Sequence, residues 1–332
     1  MRGEKIGIVS LFAGCGGLDL GFTGGFVYRG ERYRKLPFQI LRAYDNDRRC
    51  IETYRRNIGE HLEDRDLSTY DFEDAPSADV LLAGFPCQDF SSCGPRMGLA
   101  SERGRLYRSM VRYMERHQPS LVVGENVPYL EALGKGAVIQ TILSDLRAAD
   151  PGYDFVVWRL YGPDYGIPQT RTRLFLVGTR RDIATRPCEP NPTHDESSYR
   201  SIDWAIEDLA HIEDESVPNQ SQYFRATRAR KGNGQGDETN KAGRPSYTIR
   251  ANCKSRVQFH YRLDRRLTVR ECARLQTFPD TFVFPHSATA NMLQIGNAVP
   301  PVLAHHVASA CLRFFLEALA LPQPKTRDGR PS

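Results

Sequence analysis

The residues best suited to chemistry in this sequence are a cysteine, a glutamate and two arginines. Cys87 follows Val80–Ala83, a continuous apolar run that predicts a buried strand, and Glu125 follows a second such run. Arg171 and Arg173 alternate along an extended stretch, so we expect them to point to the same side. Because open α/β sheets bind ligands at the carboxyl ends of their strands, we expect one shared crevice. A nucleophile, an acid and two cations there favour addition to an electron-poor ring or carbonyl.

An alternative interpretation assigns these residues no chemistry. A single cysteine after a strand can be inert, and Glu125 can form structural ion pairs with the arginines. A thiol with an ordinary pKa of about 8.5 is only a few per cent thiolate at neutral pH, so nearby cations would help it react. Three separate connections contribute to the same rim, which favours the chemical interpretation.

A glycine-rich turn near the N-terminus predicts a ligand-binding loop. The apolar run Ile6–Phe12 is followed by the sequence AGCGG and then by a helical pattern. A strand, a glycine turn and a helix form the first half of a nucleotide-binding unit. The next predicted strand ends at Asp45, a position where an acid commonly binds a ribose diol. Tight packing alone would also explain the glycines, and a nicotinamide-dependent oxidoreductase would share these two features.

Composition excludes several classes of protein. The 332 residues are 40% hydrophobic, with a mean hydropathy of −0.49, and we expect neither a membrane-spanning segment nor a signal peptide. The eight cysteines include no C-x-x-C pair, so we predict no metal site and a reducing, cytoplasmic location. A net charge of +5 permits a polyanionic partner without requiring one.

Strands that alternate with helices predict a doubly wound, mostly parallel sheet. We assign residues 1–180 and 265–321 to this α/β domain, residues 181–264 to a smaller inserted domain, and residues 322–332 to a disordered tail. The segment 27–37 is predicted to be a surface insertion. In the inserted domain we expect a solvated, cationic loop at 228–245 and short antiparallel strands at 246–249 and 257–261.

Two further helices are predicted near the C-terminus. Thr268 is expected to cap a helix over Val269–Leu275. The sequence QIGNAVPP, residues 294–301, is expected to open a long amphipathic helix that extends through Leu319.

Six motifs, in order, resemble those of the DNA (cytosine-5)-methyltransferase family of bacterial restriction-modification systems. They are FAGCGG, GFPCQDFS, GENV, QTRTR, RECARLQTFPD and QIGNAVPP, and they cover nearly the whole chain outside the inserted region. The resemblance implies a Rossmann-like, S-adenosylmethionine-dependent enzyme without a metal. By the same resemblance, it would methylate carbon 5 of a flipped cytosine in a specific double-stranded DNA sequence. We expect a monomer, with a cognate endonuclease acting on the same site.

The resemblance also implies which residues bind the methyl donor. Asp45 would bind the ribose, Asp66 the adenine amino group, and Asn297 would lie near the methionine end. The family often has a bulky apolar residue after the ribose-binding acid, where this chain has Asn46. The expected cofactor-binding residues are Phe12, Gly14, Gly16, Gly17, Leu18, Asp45, Asn46, Asp66, Leu67, Pro86 and Asn297.

The remaining carried-over residues concern the reaction and the DNA. Cys87 resembles the family's nucleophile, Glu125 the residue that contacts the cytosine ring nitrogen and amino group, and Arg173 the contact to its carbonyl oxygen. Arg171 would help to hold the active-site loop. The inserted domain resembles the target-recognition domain, and the expected DNA-binding residues are Ser91, Arg103, Thr248, Arg250 and Arg256.

Three other functions remain open from the residues. A nicotinamide oxidoreductase leaves Cys87, Glu125 and the arginine pair unexplained. A non-catalytic DNA-binding relative would not need Cys87 and Glu125. A tRNA methyltransferase would share the chemistry, although the sizeable inserted domain suits duplex DNA better.

Overall fold

A computed structural model describes residues 5–86, 106–223, 237–251 and 257–320 of the chain. The strands are β1 (Ile6–Leu11), β2 (Phe26–Tyr28), β3 (Glu31–Tyr33), β4 (Phe38–Asp45), β5 (Leu62–Asp64), β6 (Val80–Ala83), β7 (Leu121–Asn126), β8 (Tyr153–Tyr161), β9 (Thr172–Arg180), β10 (Glu238–Thr239) and β11 (Gln258–Phe259). The α-helices are α1 (Gly17–Thr23), α2 (Arg48–Asn57), α3 (Arg108–His117), α4 (Tyr129–Ala132), α5 (Ala137–Ala148), α6 (Ile202–Ile206), α7 (Val269–Leu275), α8 (Ala288–Asn297) and α9 (Pro301–Ala320).

Within these residues, seven strands form one sheet in the order β5-β4-β1-β6-β7-β9-β8. The first five strands are parallel, whereas β9 runs antiparallel to both β7 and β8. This confirms the predicted doubly wound, mostly parallel sheet. Because the chain continues from β1 to β4 on one side and returns to β6 on the other, the sheet has its topological switch point beside β1.

Apolar packing covers both faces of the sheet. Strand β6 is fully buried along its whole length, as its continuous run of apolar residues predicts. Helices α1 and α9 contribute to the hydrophobic cluster on one face, and α3 and α5 contribute to the cluster on the other. Both clusters hold the carboxyl ends of β1, β6 and β7 rigidly side by side.

The segment 27–37 is not simply a surface insertion. Strands β2 and β3 form an antiparallel hairpin, and Tyr28 and Leu36 are 1% and 3% exposed. The Tyr28 hydroxyl donates a hydrogen bond to the carbonyl of Arg274, 2.8 Å away. The hairpin therefore attaches the start of the chain to helix α7.

Helix α7 has the cap expected from its sequence. The Thr268 hydroxyl accepts from the Glu271 backbone N–H, and the Glu271 carboxylate accepts from the Thr268 N–H. This reciprocal capping box satisfies two backbone donors that a helix start leaves free.

The helix predicted to open at QIGNAVPP begins later than expected. Residues 294–297 form the last turn of α8, the backbone of Ala298 is extended, and α9 starts at Pro301. The physical reason is the Pro300–Pro301 pair, since the residue before a proline avoids helical geometry while the first helical position accepts one. The prediction of one helix from 294 was wrong.

From the sequence we expected no apolar segment long enough to span a membrane, but the C-terminal region contains one. Residues 288–318 are long and apolar enough to span a membrane by length and composition, and 67% of their most apolar window is buried inside the fold. A helix in the core of a folded domain is mostly buried in this way.

The short strands of the inserted region also differ from the prediction. Strands β10 and β11 pair in parallel, and Ser246 forms an isolated parallel bridge with Gln169. The expectation of short antiparallel strands at 246–249 and 257–261 was wrong for these parallel pairings, although Phe259 also forms an isolated antiparallel bridge with Arg266. The domain boundaries stay a prediction, and the expected disordered tail lies outside the described residues.

Candidate active site and cofactor cleft

The central strands bring the predicted acid and one arginine into direct contact. Glu125 in β7 lies opposite Phe175 in β9, so Arg173 is its diagonal neighbour across the two strands. The Arg173 Nε lies 2.7 Å from the Glu125 Oε1, and both side chains are 9% exposed. A Cβ added to Gly84, at the end of β6, would lie 3.9 Å from Glu125 Oε2. The buried ion pair is therefore next to the chain that leads to Cys87.

Burial raises the pKa of the Glu125 carboxyl above its ordinary value of 4.5, against the opposing charges of Arg173 and Arg171. Removing a carboxylate from water disfavours its charged form. A carboxyl group with a raised pKa, held in place by a guanidinium, is suited to donating a proton or a hydrogen bond to a ring nitrogen.

Asn126 fixes the start of the segment that carries the predicted nucleophile. Its side-chain amide donates to the carbonyl of Phe85, 3.2 Å away, and its Oδ1 accepts from the N–H of Val127. Pro86, the next residue after Phe85, is half-buried. Cys87, Ser91, Arg103 and Arg256 lie outside the described residues.

Arg171 is bonded to backbone carbonyls of two segments distant in sequence. It is 1% exposed, and its two terminal nitrogens donate to the carbonyls of Ile249, Gly296 and Ala298 at 2.8, 2.7 and 3.1 Å. Burial and the neighbouring Arg173 lower its pKa. Among the described residues, Arg171 thus connects β9 to two other parts of the chain instead of binding Glu125 through hydrogen bonds.

The glycine turn after β1 is tight and closely attached to Asp45. Phe12, Gly14 and Gly16 have positive φ angles of 55°, 57° and 91°, a region in which glycine is the least strained residue. The Asp45 Oδ2 accepts from the N–H of Gly14 at 2.8 Å, and burial raises its pKa. Gly17 is required for another reason, because an added Cβ would lie 2.3 Å from the carbonyl oxygen of Val299.

The other predicted cofactor residues surround the same edge of the sheet. Asn46, Asp66 and Asn297 are exposed, whereas Leu18 and Leu67 are buried. Asp66 accepts from the N–H of Ser68, which lowers its pKa. Asn297 is the last residue of α8, four residues before α9 begins.

Sequence reasoning missed a buried polar network beneath the glycine turn. Asp19 in α1 is fully buried and accepts from the hydroxyls of Ser10 and Tyr54, each at 2.7 Å. The Tyr54 hydroxyl also lies 2.9 Å from His61 Nε2. The network could have been suspected from Ser10 and Asp19, which are polar residues within the apolar patterns of β1 and α1. The network ties both elements that flank the turn to α2.

Asp19 should make stability depend on pH. Burial raises its pKa from 3.8 to about 6, so the folded state holds this proton more tightly than the unfolded state. That stabilising contribution is present below pH 3.8 and is lost as the pH rises through about 6. Relative to Asp19→Asn, the wild type should lose about 3 kcal/mol of unfolding free energy across this window. Urea unfolding of both proteins at several pH values checks this, and a difference that is independent of pH would contradict it.

The sheet order and the position of this edge define a Rossmann-like α/β fold. The S. pombe Dnmt2 methyltransferase matches with a TM-score of 0.67 and 18% identity, covering 96% of this chain and all of that one. A model of the C-5 cytosine-specific DNA methylases matches residues 6–247 and 189–313. The chain belongs to this family, and its reaction is methylation of DNA at carbon 5 of cytosine.

Two bacterial relatives are similar along nearly their whole length. The type II methyltransferase M.BsuRI of Bacillus subtilis is 33% identical, covering 100% of this chain and 85% of the relative. The type II methyltransferase M.NgoFVII of Neisseria gonorrhoeae is also 33% identical, covering 94% of this chain and 88% of the relative. Family membership implies S-adenosylmethionine as the methyl donor.

Proposed function

We propose that the protein is the modification enzyme of a bacterial restriction-modification system and that Cys87, Glu125 and Arg173 act on a cytosine flipped out of duplex DNA. The buried Glu125–Arg173 pair carries this proposal, since it presents a carboxyl group with a raised pKa beside the segment leading to Cys87. Host DNA methylated at its recognition sequence would resist a cognate endonuclease in the cytoplasm.

The chemistry requires both a nucleophile and an acid. Carbon 5 of cytosine is too weak a nucleophile to be methylated unaided. The Cys87 thiolate adds to carbon 6 while Glu125 protonates nitrogen 3, so the ring becomes an enamine with electron density at carbon 5. S-adenosylmethionine supplies an electrophilic methyl group when bound. Loss of the carbon 5 proton to water, return of the nitrogen 3 proton to the Glu125 carboxylate and expulsion of the Cys87 thiolate then restore the aromatic ring.

Arg173 has two tasks in this scheme. It holds the Glu125 carboxyl group at 2.7 Å and would donate a hydrogen bond to the cytosine carbonyl oxygen. Since a stacked base is out of reach, the base must leave the duplex at a cost of a few kcal/mol.

The glycine turn after β1 suits the methyl donor. The Gly14 N–H of this positive-φ turn donates to the Asp45 carboxylate at 2.8 Å. Asn297 is exposed, and the next residue, Ala298, lies beside Gly17, since a Cβ added to Gly17 would be 3.4 Å from the Ala298 Cβ. We assign the ribose hydroxyls to Asp45, the adenine amino group to Asp66, and the methionine end to the glycine turn and Asn297. In the described part of the chain, no group of three or more His, Cys, Asp or Glu residues could hold a metal ion.

Asp45→Asn should weaken binding of S-adenosylmethionine roughly 10- to 100-fold, because hydrogen bonds to a charged group contribute about 1.5–3 kcal/mol. Calorimetric titration of the free protein measures this. Asp79→Asn is the matched control, since Asp79 Oδ2 accepts from the N–H of Gly7 at 2.7 Å near the opposite end of β1. Equal affinities of the wild type and the Asp45 variant would remove Asp45 from the cofactor site.

Bisulfite sequencing of DNA treated with the purified protein and S-adenosylmethionine tests the proposed function. We expect protected cytosines at one short recognition sequence in double-stranded DNA. Absence of methylation on duplex DNA, or methylation of tRNA instead, would overturn the proposal.

A further inference from the structure

The stretch before β9 carries a short segment of the inserted region, residues 246–251, which we name the recognition segment. The N–H of Thr170 donates to the Ser246 carbonyl at 2.8 Å, and the N–H of Ser246 donates to the Pro168 carbonyl at 2.9 Å. The Thr248 hydroxyl donates to the Thr170 carbonyl. Thr248, predicted to bind DNA, therefore uses its hydroxyl proton within the protein.

Two buried side chains bind the backbone N–H and the backbone carbonyl of Ile249 in this segment. Gln169 Oε1 accepts from the N–H of Ile249 at 2.7 Å, and an Arg171 terminal nitrogen donates to the Ile249 carbonyl at 2.8 Å. Gln169 and Arg171 are 0% and 1% exposed. Since buried hydrogen bonds between polar groups are costly to break, the position of Ile249 relative to β9 is tightly determined.

The same two side chains reach the last turn of α8. Arg171 donates to the carbonyls of Gly296 and Ala298, and Gln169 donates to Gln276 Oε1 at 2.7 Å. Gln276 in turn donates to the carbonyls of Ile295 and Ala298 at 2.7 and 3.0 Å. The recognition segment and the turn that ends in Asn297 are thus bonded to one buried network.

Gly296 lets the recognition segment lie directly on α8. A Cβ added there would be 2.3 Å from both the N of Ala251 and the carbonyl carbon of Arg250. These are backbone atoms, so no side-chain rotation relieves the contact. The backbone of Gly296 is helical, which alanine adopts readily, and the glycine is therefore required for space and not for conformation.

We propose that Gln169, Arg171 and Gly296 are positioning residues that fix the recognition segment relative to the catalytic pair Glu125–Arg173. The network that holds Ile249 ends at Arg171, two residues before Arg173 in the same extended chain. DNA that is contacted by residues next to the recognition segment is thereby held at a fixed distance from Glu125 and Arg173. This inference rests on the proposed function and adds to it the residues that align recognition with chemistry.

Gly296→Ala displaces the recognition segment without deleting a hydrogen-bonding group, and it is the test. At saturating S-adenosylmethionine, the single-turnover methylation rate on the wild-type recognition sequence should fall roughly 10- to 100-fold, the scale expected for a misplacement near 1 Å. Saturating S-adenosylmethionine keeps any effect of the substitution on cofactor binding, through the neighbouring Asn297, out of the measured rate. Gly178→Ala is the matched control, because its added Cβ would lie 2.3 Å from the buried Phe155 ring, away from the recognition segment. This control should lower the melting temperature without changing the methylation rate per folded molecule.

Hydrogen exchange supplies a readout that needs no activity. The Ile249 amide, which donates to Gln169, should exchange faster in Gly296→Ala and in Gln169→Leu than in the wild type or Gly178→Ala. The inference is overturned if the wild type is active and the Gly296→Ala variant has both the wild-type methylation rate and the wild-type protection of the Ile249 amide. A wild type that methylates no DNA would instead overturn the proposed function, while the exchange data would still decide whether the segment is held as described.

Discussion

Replacing Cys87 by serine should abolish methyl transfer while leaving S-adenosylmethionine and DNA binding intact. A serine hydroxyl is weakly acidic and is a poor nucleophile without an adjacent base, whereas a thiol supplies a reactive thiolate near neutral pH. We therefore expect a loss of at least about 10⁴-fold in single-turnover rate, comparable to removal of the nucleophile in other covalent enzymes. Transfer of a radioactive methyl group from S-adenosylmethionine to duplex DNA measures this loss.

DNA that carries 5-fluorocytosine at the target position provides the complementary result. Fluorine cannot leave carbon 5 as a cation, so elimination stalls after methyl transfer and the protein stays covalently attached. The wild type should form a complex that survives denaturation, and Cys87→Ser should form none. Serine replacement at Cys188, an exposed cysteine, is the control and should leave the complex unaffected. A Cys87→Ser variant with normal turnover would refute the assignment of the nucleophile.

Replacing Glu125 by glutamine should have the second-largest effect, a loss of about 10²- to 10⁴-fold in the single-turnover rate, the usual contribution of a positioned acid. The substitution keeps the shape of the side chain. It removes the titratable carboxyl group, whose pKa burial raises, and with it the ion pair with Arg173. Rapid-quench measurement of methylated product at saturating cofactor determines the rate.

This substitution also leaves Arg173 without its buried ionic partner, so stability must be measured beside activity. Losing one member of a buried pair can cost about 3–5 kcal/mol of unfolding free energy. Glu131→Gln is the control, because Glu131 pairs with Arg159 at 3.0 Å where the arginine is 64% exposed. The control should change neither quantity appreciably. A folded Glu125→Gln protein with wild-type rate would exclude Glu125 as the acid.

Local sequence patterns determined most of the elements and led to the predicted site residues. The continuous apolar runs of β6 and β7 and the capping box of α7 depend on neighbouring residues, and short-range physics is sufficient to predict them. The ordered motifs implied the family, and the comparisons confirmed it.

The tertiary structure alone decided how these pieces meet. Arg171 and Arg173 lie at the start of β9, and they reach the carboxyl ends of the parallel strands because β9 runs antiparallel, which its own sequence does not indicate. The described hydrogen bonds of Arg171 go to Ile249, Gly296 and Ala298, partners that its local sequence does not indicate. Its role in holding the active-site loop stays a prediction, because that loop lies outside the described residues.

The need for glycine at 296 likewise depends on atoms far away in sequence. Its closest neighbours would be the backbone of Arg250 and Ala251, more than forty residues earlier in the chain. The physical reason is the same in each case: hydrogen-bond partners, strand direction and close backbone contacts arise from packing between distant segments, and a local pattern of residue types carries no record of that packing.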